Sequence, residues 1–464
     1  MAMMLKRTYD LLVLAVRLDA GGREVEACIE LEVKHDGEVG TGREWRVPAD
    51  YIGVPERLDR SGSRRGRSDF RLPHELLYDL GDEIGRLGGF GRPLWLHLRK
   101  PYGYLGCVPW ESILVPALRL PVLRLPDFFE RPPLESPRAL EVVLCSSTPD
   151  DERAYGQLEH LGTIVDHILL GADRPTTVHV FTDDRLGPVL AQRGPSEQVI
   201  VHPTSSADGL DPASEDRENA WFRWIRRRLA GRCVDVVHFM GHGYLARGRG
   251  ALALSASPDP AAQARWSTFV GDAEVDAFLT TLGAWGVAFS AAEDNYSEFG
   301  LRFLADSIAL RRPGAILYHD WQRDWDGDVL AEAYRFLFSV EPQRPPTSDA
   351  VFMYCQPFRV AEPDEAGAEP EQAEAAWNEP PRSHQPPSAP QKISAASPME
   401  NATFEGMKPE EMENAPNWIA TTARYLEQQT YQIGQAADTT RRSSEAGNIL
   451  RQIQDVMAKH SRRR

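Results

Sequence analysis

Cysteine is scarce in this chain. Its five positions among 464 residues, Cys28, Cys107, Cys145, Cys233 and Cys355, show no CxxC spacing and are odd in number. Neither a disulfide framework nor a zinc knuckle is expected, and a reducing cytosol fits. Long apolar runs are missing too: the N-terminal run Leu11 to Val16 follows Asp10 and is far too short for a signal core or a membrane span. The expectation is a soluble, cytoplasmic protein with no membrane partner. Positive charge is in deficit, because 52 Lys and Arg face 68 Asp and Glu for a net charge of −16. Nucleic-acid phosphates demand clustered cations, so no nucleic-acid partner is expected. No strand-like run leads into GxGxxG, or into GxxxxGK followed by Ser or Thr, which disfavours a nucleotide-binding domain.

What is present divides the chain into four parts. Residues 1–70 form a β-rich extension: alternating runs such as Cys28-Ile-Glu-Leu-Glu-Val-Lys are punctuated by Gly21-Gly22 and Asp36-Gly37, which predicts a small antiparallel meander. Five arginines between Arg57 and Arg67 mark an exposed loop. Over 71–360, apolar strand-like runs alternate with helical periodicity. Strands are predicted at 140–145, 178–181, 234–240, 285–290 and 315–318, and helices at 159–170, 216–229, 276–282, 300–310 and 329–338. That alternation requires crossover connections, hence an α/β fold with a mostly parallel sheet covered by helices on both faces. Residues 361–407 contain an acidic, proline-rich stretch, with seven acidic residues and no base from Glu362 to Glu379, which predicts a linker. In 408–464, Ala446, Ile449, Leu450, Ile453, Val456 and Met457 form one apolar stripe on a predicted helical tail. Short amphipathic helices on a tether bury little alone, so the tail is expected to dock on the main domain or on another protein.

Sites on parallel sheets lie beyond the carboxyl ends of the strands. Two of the predicted strands end in informative residues. Val234-Asp-Val-Val-His-Phe-Met-Gly-His-Gly carries His238 and His242, with Gly241 and Gly243 expected to let the backbone turn and approach a substrate. Gly286-Val-Ala-Phe-Ser ends at Ala291-Ala292-Glu293, where a nucleophile would be expected and alanine stands instead.

From Leu105 to Trp321 the chain resembles the CHAT family of caspase-like cysteine proteases. The likeness rests on the strand into His-Phe-Met-Gly-His-Gly, and on Gly286-Val-Ala-Phe-Ser-Ala-Ala, where the family has a strand ending in Ser-Ala-Cys. It rests also on Val108-Pro-Trp-Glu-Ser-Ile-Leu, and on the Gly300 to Trp321 segment with Pro313-Gly-Ala-Ile-Leu-Tyr-His-Asp-Trp. The resemblance implies a caspase-like α/β fold, His242 as catalytic base, and Ala292 at the nucleophile position. It also implies two backbone N–H donors for an oxyanion, at Gly243 and at residue 292. Such a site needs neither metal nor organic cofactor. Alanine there leaves two readings open: a cysteine endopeptidase inactivated by a Cys-to-Ala change, or a natural pseudoprotease scaffold. By resemblance the expected setting is a bacterial defence or cell-death module, with a companion protein as substrate and a sensor or regulatory protein docking the tail.

Other residues near the site carry weaker expectations. Glu293, Asp294 and Asp324 would favour a basic substrate residue and Trp321 would wall the pocket, whereas Arg247 and Arg249 would favour an acidic one. Ser290, Ser297 and Cys145 are substitute nucleophiles to be weighed; Cys145 also reads as a small buried apolar residue.

Overall fold

The computed structural model of the protein describes residues 11–361, apart from 20–24, 36–37, 55–69, 90, 101–102, 129–138, 148–153, 183–196, 205–217, 247–248, 260–266 and 292–294. The Arg57–Arg67 loop, the linker beyond Ala361 and the helical tail lie outside the described residues.

The chain opens with a meander of β1 (Leu11–Asp19), β2 (Glu26–His35) and β3 (Glu38–Pro48), followed by α1 (Ala49–Ile52) and α2 (His74–Arg86). Next come β4 (Leu94–Leu98), α3 (Trp110–Leu118), β5 (Val122–Arg124), β6 (Leu140–Ser146), α4 (Ala154–Gly171), β7 (Thr176–Thr182), β8 (Val199–His202) and α5 (Ala220–Leu229). The second half runs through β9 (Val236–Ala246), β10 (Arg249–Ser255), β11 (Ser267–Gly271), α6 (Asp272–Leu282), β12 (Gly286–Ala291) and α7 (Asn295–Ala309). It closes with β13 (Ala315–Asp320), α8 (Asp328–Phe338) and β14 (Val351–Tyr354).

One sheet unites them in the order β3-β2-β1-β4-β5-β14-β13-β12-β9-β6-β7-β8, with β10 and β11 branching from β9. From β13 through β12, β9, β6 and β7 to β8 every pairing is parallel. This is the expected α/β architecture, and its centre is apolar on both faces because helices cover both. Val237 and Phe239 of β9 join the cluster under α5, α6 and α7, whereas Val236 and Met240 join the one under α4 and α8. The meander is part of the same sheet, since β1 runs parallel to β4 from Leu12↔Leu94 to Val16↔Leu98. A third cluster, with Leu14, Ile29, Leu80 and Trp110, fills the space between these strands and α2 and α3.

Glu111, from the Val-Pro-Trp-Glu motif, has a structural explanation. It is fully buried and takes both Arg124, at 2.7 and 3.2 Å, and Arg302 of α7, at 3.0 Å. Arg124 also donates to Asp306 of α7 and lies 4.0 Å over the Phe352 ring, while the Tyr354 hydroxyl donates to Asp306 at 2.9 Å. Burial alone would raise the Glu111 carboxyl, but the two guanidinium groups hold it below the usual range. Two carboxylates and two guanidiniums therefore join β5, α3, α7 and β14.

Candidate functional site

Register fixes the geometry of the site. Gly241 of β9 is the parallel partner of Ala291 of β12, and Ala291 is in turn the partner of Asp320 of β13. His242, position 292 and Trp321 therefore follow three residues that stand side by side, at a neighbouring-strand spacing of roughly 4.8 Å. Ala292, Glu293 and Asp294 themselves lie outside the described residues, as do Arg247 and the side chain of Ser297.

The glycine-flanked histidine does not sit in a turn. β9 continues through Gly241-His242-Gly243 to Ala246, and its second half leaves the main sheet to pair antiparallel with β10, His242 opposite Ala253 and Gly243 opposite Leu252. Neither glycine has positive φ. The expected sharp turn is thus replaced by a change of partner, from β6 and β12 up to Met240 and Gly241 to β10 from His242 onward. His242 is buried at 1% exposure. Helix α7 presses on this stretch: a Cβ at Gly300 would fall 2.2 Å from the Tyr244 nitrogen and 2.7 Å from the Gly243 carbonyl carbon.

Trp321 and Asp324 are both interior groups. Trp321 is 3% exposed, its ring 4.3 Å from that of His160 and 5.4 Å from that of His319, centroid to centroid. Its indole N–H has no acceptor among the described residues. Asp324 is 2% exposed, and its carboxylate accepts the N–H groups of Val329 at 3.1 Å and Leu330 at 2.8 Å, capping the first turn of α8. The same carboxylate meets His319 Nε2 at 3.1 Å. Burial would raise its pKa, but the His319 contact and the two N–H groups hold it below the usual carboxylate range. Its lone pairs are engaged inside the protein, so it does not present a free charge to a substrate. Arg249, by contrast, is exposed.

Behind the rim lies a polar chain that sequence reasoning did not assemble. Tyr334 Oη meets His238 Nδ1 at 2.7 Å, His238 Nε2 meets Ser290 Oγ at 2.8 Å, and Ser290 Oγ meets His319 Nδ1 at 2.9 Å. All are 1% exposed or less. Burial, and next the neighbouring His319, pushes His238 down to about 3; the same two causes push His160 down to about 4. The sequence did hold a signal, since a histidine or serine inside each of three consecutive apolar strands is costly to bury without a partner. Ser290 is thus committed to two imidazoles within the interior. Cys145 is fully buried in the apolar cluster, where desolvation raises its thiol pKa.

Among the described residues no group of three or more His, Cys, Asp or Glu side chains is placed to hold a metal ion, and no described helix is long and apolar enough to cross a membrane. Comparison of the chain with family models, with curated proteins and with solved structures returns no match.

Proposed function

We propose that this chain is built as a caspase-like cysteine endopeptidase of the CHAT type, cytoplasmic and silent as written because alanine occupies position 292. The observation that supports the proposal is the Gly241↔Ala291 register: the two residues that His242 and position 292 follow in sequence stand side by side on neighbouring parallel strands. With cysteine at 292, His242 takes the thiol proton, the thiolate adds to the scissile carbonyl carbon and the N–H groups of residues 292 and 243 stabilise the oxyanion. His242 delivers a proton to the leaving amine as the C–N bond breaks, and water then hydrolyses the thioester. No metal or organic cofactor enters this sequence. The burial of His242 supports a regulated enzyme. A sensor or regulatory protein engaging the tail is the natural trigger, and a companion protein the substrate.

Alanine at 292 also supports a second reading, a scaffold that gathers partners through the same rim without cutting. One experiment separates the two: Ala292→Cys is co-expressed with the products of neighbouring genes, and newly created N-termini are mapped by mass spectrometry. Cleavage that disappears on adding His242→Ala supports the peptidase. Retained binding of those partners with no new termini supports the scaffold.

A further inference from the structure

The polar chain behind the rim has a direction that can be worked out from its donors and acceptors. Asp324 receives two backbone N–H groups, so it is held as an acceptor, and its link to His319 must be made by the His319 Nε2 proton. In a neutral imidazole the other nitrogen then accepts, which obliges the Ser290 hydroxyl to donate to His319 Nδ1. With its proton so committed, Ser290 Oγ accepts from His238 Nε2–H, and His238 Nδ1 accepts from the Tyr334 hydroxyl. Each of the four links carries one proton, every nitrogen is satisfied, and the carboxylate is the chain's single charge. Running it the other way places a second proton on His319 while Nε2 still faces Asp324, which turns that link into a buried ion pair.

Its position is as telling as its order. In sequence Ser290 stands two residues before position 292, His238 four before His242, and His319 two before Trp321. Ser290 and His319 are direct register partners on β12 and β13, and Ser290 reaches diagonally to His238 on β9. A slip of one residue in any of these strands would turn its polar group to the opposite face and break the chain.

We propose that Tyr334, His238, Ser290, His319 and Asp324 form one directed hydrogen-bond relay, both imidazoles neutral with the proton on Nε2, and that it is the positioning element keeping β9, β12 and β13 in register up to Gly241, Ala291 and Asp320. The contacts of the relay are given by the geometry, its proton order is the proposal, and its service to catalysis rests on the peptidase proposal above.

The test uses the full chain with 15N-labelled histidine. At pH 7, imidazole nitrogen shifts should identify His238 and His319 as neutral, with Nδ1 the accepting nitrogen in each. Tyr334→Phe, which keeps the ring, should move the His238 Nδ1 signal to that of an acceptor without a donor and leave His319 in place. Ser290→Ala, close to isosteric, should disturb both histidines and speed amide hydrogen exchange at residues 241 and 291 at least tenfold, and Ser290→Thr should restore both readouts. In the Ala292→Cys background, Ser290→Ala should lower kcat about tenfold or more at unchanged KM. An imidazolium, or an Nδ1 proton on either ring at pH 7, overturns the directed relay, and unchanged exchange at 241 and 291 in Ser290→Ala overturns its positioning role. If these spectroscopic and exchange results hold while Ala292→Cys cleaves nothing, the relay stands and the peptidase proposal falls.

Discussion

Acidification should destabilise this protein through His238, and the size of the effect can be set in advance. His238 is completely buried beside Tyr334, Ser290 and His319, and its pKa is pushed down to about 3 by burial and then by His319. An unfolded chain returns the ring to about 6.5. Between those values the unfolded state binds the proton and the folded state does not. The stability that neutral His238 contributes is therefore complete above about pH 6.5 and is lost as the pH falls toward 3. At pH 5 the unfolded ring is about 1.5 units below its midpoint, which at about 1.4 kcal/mol per unit removes about 2 kcal/mol. Against a total of roughly 5–15 kcal/mol for a folded protein, that loss is measurable. Urea unfolding at pH 7, 6 and 5 would be compared between the unaltered chain and His238→Gln, which keeps a hydrogen-bonding side chain and cannot titrate. Other titrating groups, His160 among them, contribute to both proteins and cancel in the difference of slopes. His238→Gln should lose about 2 kcal/mol less than the unaltered chain on going from pH 7 to 5. Identical slopes would refute the buried neutral histidine and the relay built on it.

Two further predictions concern packing around the site. Glu111→Gln removes the carboxylate that pairs with both Arg124 and Arg302, while Arg124 keeps its contact with Asp306, and it should cost about 3–5 kcal/mol in urea unfolding, as expected when one partner of a buried ion pair is removed. A loss under about 1 kcal/mol would show that the cluster is hydrated. Gly300→Ala sets a methyl group against the backbone of Gly243 and Tyr244 and should cost about 1–3 kcal/mol despite the better helix propensity of alanine. A rise in thermal midpoint for that variant would contradict the close approach.

The strands that were legible in the sequence are those buried on both faces, because their unbroken apolar runs leave few alternatives. β6, β7, β12 and β13 fall where Leu140–Cys145, Val178–Phe181, Trp285–Ser290 and Ala315–Tyr318 predict them. Other strands were less legible. β8 and β14 are four residues each, too short for periodicity to register, and β10 and β11 draw their strand character from pairing with each other and with the end of β9. The continuation of β9 through Gly241-His242-Gly243 was likewise hidden. Glycines flanking a histidine read locally as a turn, and the partner that keeps them extended is β10, which was not predicted. Helix boundaries shifted for local reasons: the helix expected from Asp216 begins at Ala220, where the Asn219 side chain accepts the Trp221 N–H at 2.9 Å. Trp321 and Asp324 were picked out as rim residues by their place after a strand. What they face depends on α4 and on the first turn of α8, which no spacing within their own segment reveals.

Helix α7 links the parts of this architecture. Through Gly300 it bears directly on the backbone of residues 243 and 244, and through Gly250 it bears on β10, where a Cβ would lie 2.4 Å from both the Gly300 oxygen and the Leu304 nitrogen. Its first residue, Asn295, follows the 292–294 connection from β12. A shift of α7 along the sheet would therefore bear on the histidine side of the rim by direct contact. Further along, the same helix holds Arg302 and Asp306 in the ion cluster with Glu111 and Arg124, next to the third hydrophobic cluster. Packed interiors of this kind move in discrete rearrangements. A partner that altered the seating of the β1–β5 layer would thus act on α7 at its charged end and be felt at His242 at its glycine end. The relay on the opposite face of the sheet, anchored to β9, β12, β13 and α8, has no contact with that cluster among the described hydrogen bonds and would keep the strands in register while α7 moved.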